Sequence, residues 1–354
     1  MELDEHGARA LLARAQRLTD AGRGDGAPVA EVARAVVGLQ AQDLHAASLG
    51  VRARLAQCEA SAVEAARVRE RSVVRVWCMR GTLHLVAAED ARWLVALLGP
   101  VGLARGRRRR GEFGVNAPEA VTAVRHVLRR DGPLTRHEVA ARVRAQGIRL
   151  ADDPQVPVHL VACAALEGHV CEAGVRDGEP AYALAEDWLG PAGPPLDRDV
   201  ALARLARRYL AAHPPAAPED LAAWSGLGLR ESRRAFASIA GELEEVNVLG
   251  RPAWIPDGMG PDGAEAPPPR LLPAFDGLLL AHRDRALTVD PEHAVAVLPG
   301  GGVVRPTVLI SGHVEGTWRL VKGVPEIAPF RPLGQETDQA LATEVADVIR
   351  HRGS

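Results

Sequence analysis

The chain has 354 residues, of which 47% are hydrophobic and 25% charged. That is enough apolar material for real cores, and the length suggests about two or three domains. The formal net charge of −2 excludes a uniformly basic nucleic-acid binder. Aromatics at 3% argue against a single-strand binder that stacks successive bases, and no stretch approaches the ~18 uninterrupted apolar residues of a membrane helix.

The first five residues are acidic and do not resemble a secretory leader, so a cytoplasmic, nucleoid-associated protein is expected. An amphipathic helix is predicted over Glu5–Leu18, and a second starts at Pro28-Val29-Ala30-Glu31, with an acid against the N-terminal dipole. The segment Val36-Val37-Gly38-Leu39-Gln40-Ala41-Gln42-Asp43 then places three polar side chains after an apolar helix. Residues two apart share a side only in extended backbone. The helix is therefore expected to end near Leu39 with Gln40 and Gln42 on one side, although the same residues also fit an exposed polar helix end.

A third helix is predicted over His45–Ala56, followed by two β runs, Val73–Met79 and Thr82–Val86. Arg80 and His84 flank the tight turn between those runs, as phosphate ligands or as solvated residues of a wing. Arg105–Arg110 is an arginine-rich stretch; four adjacent arginines on a helix point in several directions, so only some of Arg107–Arg110 could meet phosphate.

The sequence then repeats itself. A helix over Glu119–Arg130, a start at Thr135-Arg136-His137-Glu138, a helix over Val156–Glu167 and β runs His169–Val175 and Pro180–Leu184 form a second cycle. A third comprises Asp199–Ala212, a start at Ala217-Pro218-Glu219-Asp220, Leu229–Ala240, and β runs Leu243–Leu249 and Pro252–Ile255. Helix, helix, helix, hairpin is the winged-helix order. Pro-rich linkers are read at Gly190–Pro195 and His213–Pro218, and a Pro, Gly and acid stretch at Pro256–Arg270. Strands at Arg305–Ile310, Val314–Leu320 and Val324–Phe330, with a tight Ser311-Gly312 turn, lead to a closing helix over Glu336–Arg350. The expected class is α+β, with tandem winged helices and a C-terminal β-rich domain. The expected boundaries are 1–115, 116–190, 191–262 and 270–354.

Several chemistries find no motif. Four cysteines (Cys58, Cys78, Cys163, Cys171) show no CxxC spacing, and there is no P-loop, GxSxG or GxGxxG after a strand. His137-Glu138 begins like a zincin helix, but Ala141 stands where the second histidine belongs. No metal ligand set and no cofactor are expected from motif spacing.

Gln40-Ala41-Gln42, Trp77-Cys78-Met79-Arg80-Gly81-Thr82-Leu83-His84-Leu85, the run Leu271–Leu280, Arg305-Pro306-Thr307-Val308-Leu309 and Gly316-Thr317-Trp318-Arg319 together resemble the AlkZ and YcaQ group of bacterial DNA glycosylases, in order and over nearly the whole chain. That resemblance implies tandem winged helices with a C-terminal β domain. It also implies a catalytic Gln-x-Gln element at Gln40 and Gln42, and removal of bulky N7-alkylguanines with unhooking of interstrand crosslinks in antibiotic self-resistance. Such a leaving base is already cationic, so the site need only place a water against an oxocarbenium-like sugar; two carboxamides can do so without strong base chemistry. Asp43 and His84 are candidate catalytic support, with a helix-capping role set against catalysis at Asp43. Arg80, His282, Arg283, Arg285 and Arg319 are candidate DNA ligands. Asp276 and Trp318 are read as structural or as a channel wall, and Asp276 with His282, Arg283 and Arg285 equally as an internal ion-pair cluster.

The favoured function is a monofunctional glycosylase acting as a monomer on duplex DNA that contains alkylated guanine. A non-catalytic winged-helix transcriptional regulator is the alternative, and a scaffold whose hairpins hold proteins a third reading. A regulator would bind palindromes as a twofold dimer, and no sustained heptad seam for one is present.

Overall fold

The computed structural model describes residues 1–24, 26–260 and 266–353. Its elements in chain order are α1 (Glu5–Ala15), α2 (Val29–Ala35), β1 (Leu39–Gln40), α3 (Leu44–Arg54), α4 (Ala60–Val68), β2 (Val73–Trp77), β3 (Leu83–Ala87), α5 (Ala88–Glu112), α6 (Ala117–Asp131), β4 (Leu134–Thr135), α7 (Arg136–Ala145) and α8 (Val156–Leu166). There follow β5 (Val170–Arg176), β6 (Glu179–Leu184), α9 (Ala185–Leu189), α10 (Arg198–Ala212), α11 (Pro218–Ser225), α12 (Leu229–Ala237), β7 (Leu243–Val248) and β8 (Arg251–Pro256). The chain ends with β9 (Arg270–Leu272), α13 (Gly277–Leu280), α14 (Ala294–Val297), β10 (Thr307–Ile310), β11 (His313–Val321), β12 (Val324–Pro329) and α15 (Gln335–Arg352). Residues 261–265 of the stretch read as a linker lie outside the described residues.

The mixed α and β class is the one expected from the sequence. Local chemistry sets many of the boundaries. Asp4 accepts the Gly7 N–H at the start of α1, Asn116 accepts that of Glu119 in α6, and Thr135 with Glu138 forms a reciprocal capping box on α7. The turns Asp177-Gly178, Leu249-Gly250, Ser311-Gly312 and Lys322-Gly323 each hold two residues at positive φ, the geometry that matches the twist of a hairpin.

Some stretches carry structure that the sequence reading did not assign. The apolar run Leu271–Leu280 divides between elements: β9 takes Leu271 and Leu272, Phe275 turns at φ +60, and Asp276 caps the short α13. The long α5 was legible only at its arginine end, because Pro100 lies inside it and its apolar residues do not form one stripe.

The chain divides into two compact units, one of residues 1–64, 202–224 and 228–354, the other of residues 65–201 and 225–227. In the first unit the antiparallel sheet β12-β11-β10-β9 buries Leu271, Val308 and Trp318 with Leu49 of α3 and with Leu341 and Val348 of α15. Leu12 of α1 joins a second cluster with Leu272, Leu278, Leu279, Leu309 and Val314. Leu11 packs with Val246 and Ile255 of the β7–β8 hairpin. Each such buried side chain contributes about 1.5–3 kcal/mol.

In the second unit α6, α7 and α8 pack on the sheet β4-β6-β5 through Val124, Val127, Val139, Leu160, Val161 and Tyr182. α5 meets α8 backbone to backbone, since a Cβ at Gly99 would stand 1.9 Å from the Leu166 carbonyl oxygen. The buried Glu172 carboxylate accepts from Arg67 at 2.6 Å and from Arg75 at 2.7 Å, so its charge is paired twice.

Candidate active site

α2 stops at Ala35, earlier than the expected end near Leu39, because Val37 and Gly38 take φ of +57° and +95° and turn the chain out of the helix. Leu39 and Gln40 then form the two-residue strand β1, and the chain bends at Gln42 and Asp43. Leu39 and Ala41 are buried while Gln40 is half-buried and Gln42 exposed, the period-2 alternation that puts both glutamines on one side. Their side chains meet: Gln40 Nε2 donates to Gln42 Oε1 at 2.8 Å.

The pair is clamped from both ends. Asp43 accepts the N–H groups of His45 (2.8 Å) and Ala46 (3.3 Å) and so caps α3. Behind the motif, Leu39 lies on Gly50 of α3, where an added Cβ would stand 2.9 Å from Leu39 Cδ2 and 3.7 Å from Pro273. α3 is itself fixed by buried charge. Arg54 donates to both oxygens of Asp276 at 2.8 and 2.7 Å, and also to Gln16 Oε1 and the Gly50 carbonyl. Arg52, fully buried, reaches Glu344, Asp347 and the Leu271 carbonyl, and Arg270 reaches Glu344 as well. The glutamine pair thus precedes a helix tied to β9 and α15. Sequence reasoning did not single out Gln16, Arg52, Arg54 or Glu344. An arginine in a short helix reads as solvent-facing, and no local spacing distinguishes a buried one.

The other sequence candidates are distributed as follows. Asp276 is buried, and besides Arg54 it accepts the Leu278 N–H at 3.0 Å, starting α13. Trp318 is buried in the β9–β12 core and donates from Nε1 to the Leu272 carbonyl at 2.8 Å. Both sit in the structural framework behind the glutamine segment. His282 Nε2 lies 3.0 Å from the Pro215 carbonyl, and Arg283, with an exposed side chain, donates its backbone N–H to Asp220. Arg285 donates to the Leu279 carbonyl, and burial lowers its pKa. Of these only Asp276 joins the Arg54 ion pair. Arg319 is exposed and paired with Glu326 directly across the β11–β12 ladder.

Arg80 and His84 belong to the second unit. Arg80 takes φ +55 in the turn between β2 and β3, with Gly226 against its Cα. His84 is buried, with Nδ1 3.1 Å from the Thr82 carbonyl, which assigns the proton to Nδ1. Burial first, then the charge of Arg80, pulls its pKa down to about 3, so the ring is neutral at physiological pH. Within Arg107–Arg110 the directions diverge: Arg108 is almost fully exposed, Arg109 lies over the Phe113 ring, and Arg110 turns inward to the Leu103 carbonyl.

Among the described residues no helix is long and apolar enough to cross a membrane. Comparison with known proteins places this architecture. The family model "DNA glycosylase AlkZ-like" matches residues 33–351, which include the glutamine pair and every candidate described above. The chain belongs to the AlkZ-like DNA glycosylase family. A curated relative, the interstrand DNA cross-link repair glycosylase of Streptomyces sahachiroi, is 28% identical over 342 residues, covering 91% of this chain and 90% of the relative. The solved structure of Streptomyces sahachiroi DNA glycosylase AlkZ superposes with a TM-score of 0.83 at 26% identity, over 99% of this chain and 97% of that one. Membership rests on the whole matched length, while the side-chain geometry of the Gln40-Ala41-Gln42 segment is this chain's own.

Proposed function

We propose that this family member is a monofunctional DNA glycosylase that hydrolyses the N-glycosidic bond of N7-alkylated purines in duplex DNA, with Gln40 and Gln42 as its catalytic pair and no cofactor. Bulky adducts and interstrand crosslinks are the proposed substrates, in a proposed self-resistance role; the name of the Streptomyces relative supports the crosslink part of this reading. Winged helices are the proposed DNA-binding units: α6, β4, α7, α8 and the β5–β6 hairpin follow one another in the winged-helix order. The observation that carries the reading is the 2.8 Å contact between the two carboxamides ahead of a capped helix.

The chemistry follows from what an amide can do. Each carboxamide carries two donors and an oxygen with two lone pairs, so a pair joined by one bond can hold a water and a sugar or phosphate oxygen together. Alkylation at N7 makes guanine cationic, which weakens the glycosidic bond and removes the need to protonate the leaving base. The pair orients the attacking water toward the anomeric carbon as the bond lengthens, and positional order supplies the rate. An amide is too weak a base to drive hydrolysis of undamaged guanine, so the lesion itself contributes selectivity. Asp43 is engaged as a helix cap, which leaves the two amides as the proposed water-holding groups.

The test is release of free base from duplex DNA carrying 7-methylguanine and, separately, a bulky N7 adduct. Multiple turnover on either, with none on unmodified duplex, is expected. Tight binding of a selected palindrome without base release would establish the regulator instead.

A further inference from the structure

The end of α2 shares its hydrogen bonding with the ends of α1 and α8. After α8 the Gly168 N–H donates to the Ala165 carbonyl and the His169 N–H to the Ala164 carbonyl, both at 2.9 Å, with Gly168 at φ +81°. α1 closes with the same two bonds around Arg17, at φ +56°. This is the Schellman ending, whose left-handed position usually holds a glycine. After α2 the bonds run from the Val37 N–H to Arg34 (3.3 Å) and from the Gly38 N–H to Ala33 (2.8 Å), so a valine takes the left-handed position at φ +57°.

That position is strained for valine. A left-handed backbone presses Cβ toward the following carbonyl oxygen, and two heavy branches on Cβ restrict the rotamers left to it. Among the described residues other than glycine with positive φ, Val37 alone is β-branched. Such a conformation persists only where its surroundings over-determine it, and strain of this kind gathers at functional sites. Val37 is 1% exposed, and Val36 before it and Leu39 and Ala41 after it are buried as well. A glycine would satisfy both hydrogen bonds without strain but would bury no side chain. The valine exchanges backbone ease for an anchor, and it does so three residues before Gln40.

We propose that Val37 is a positioning residue for base excision: its buried, branched side chain fixes the direction in which the chain leaves α2 and, with Leu39 and Ala41, holds Gln40 and Gln42 where their carboxamides meet at 2.8 Å. The proposal rests on the reading of those two glutamines as the catalytic pair. A buried hydrocarbon side chain can neither hold a water nor donate to a sugar, so Val37 acts only through the segment it anchors. Glycine at this position samples both hands of φ. A displacement of about 1 Å in a group that orients the reactants can cost about a hundredfold in rate, so freedom three residues from Gln40 reaches the chemistry.

The experiment compares full-length wild type with Val37→Gly, Val37→Ala, Val37→Thr and Gln40→Ala. It measures single-turnover release of 7-methylguanine at saturating enzyme, duplex affinity, melting temperature, and hydrogen exchange in the peptide covering residues 36–43. Val37→Gly should excise about tenfold more slowly or worse, with duplex affinity close to wild type and faster exchange in that peptide. Val37→Thr keeps the branched shape and should excise within about threefold of wild type, although its buried hydroxyl lowers the melting temperature. Rate would then follow the shape at position 37 and not stability, which a merely structural role does not produce. Wild-type excision by Val37→Gly, unchanged exchange in residues 36–43, or a folded Val37→Thr as slow as Val37→Gly overturns the proposal. Should Val37→Gly fail to fold, Val37→Ala decides by the same readings. Wild-type excision by Gln40→Ala would sink the catalytic reading itself, whereas a slow Gln40→Ala beside a fast Val37→Gly sinks only the role of Val37.

Discussion

Truncating Asp276 separates its framework role from a role in touching DNA. Arg54 is 1% exposed and its guanidinium is neutralised by the two Asp276 oxygens at 2.7 and 2.8 Å. In Asp276→Ala the arginine keeps only neutral acceptors, Gln16 Oε1 at 2.9 Å and the Gly50 carbonyl at 3.0 Å. Breaking a buried ion pair from one side costs about 3–5 kcal/mol, and those two acceptors put this case near about 3. Losing the cap that Asp276 provides for α13 adds about 1 kcal/mol, for a total of about 4 kcal/mol. Asp276→Asn, which can keep a capping oxygen, should lose about 3 kcal/mol. Removing both charges in Arg54→Met with Asp276→Leu should recover most of the loss, because the desolvation of the pair disappears with it. The assay is urea unfolding at equilibrium, with duplex affinity measured at a temperature where each variant is folded. A loss below about 1 kcal/mol for Asp276→Ala, or a double variant no better than the single, would refute the argument. So would a folded Asp276→Ala protein whose duplex affinity has collapsed.

Gly50→Ala drives a methyl to 2.9 Å from Leu39 Cδ2. Leu39 should rotate at a cost of about 1 kcal/mol, and excision should fall more than stability because Gln40 is the next residue; unchanged single-turnover rates would show that Leu39 does not position the motif. Acid should destabilise the fold through His84, whose pKa falls from 6.5 unfolded to about 3 folded. The unfolded chain binds the proton first, so stability is full above the unfolded pKa and lost as pH falls below it, by about 2 kcal/mol between pH 6.5 and 5. His213, fully buried and also lowered by burial, acts in the same direction; unfolding curves for wild type and His84→Gln at pH 7.5 and 5.0 check this, and parallel losses in the two proteins would contradict it. Lys322 is the only lysine and sits exposed at the β11–β12 turn, so borohydride added during turnover should trap no Schiff base and the product should be an intact strand with an abasic site. A trapped adduct lost in Lys322→Ala would overturn the monofunctional mechanism.

Much of the fold was legible where local signals are strong. The capping box at Thr135 and Glu138, the Ser311-Gly312 turn and the paired β runs depend on neighbours in sequence, and each is found close to its expected place. Gln40 and Gln42 were legible for the same reason, since spacing alone demands an extended backbone if they are to meet. What stayed hidden depends on distant partners. Arg54 and Asp276 are 222 residues apart and Arg52 and Glu344 are 292 apart, so nothing local marks either arginine as buried. α5 was obscured by Pro100 and by glycines whose purpose is contact: Gly99 admits the Leu166 carbonyl, which no pattern within the helix reveals.

The central claim is that two neutral amides carry the reaction, and single-turnover release of 7-methylguanine by Gln40→Ala, Gln42→Ala and the double variant tests it most directly, beside melting temperature and duplex affinity for each protein. The account predicts a fall in the excision rate of about a hundredfold or more for each single variant, the order expected when a positioned hydrogen-bonding group is removed. It predicts a double variant little worse than the singles, because the pair acts as a unit, and stability and duplex affinity close to wild type. Wild-type excision by the folded double variant would contradict the account and place the active site elsewhere in the chain.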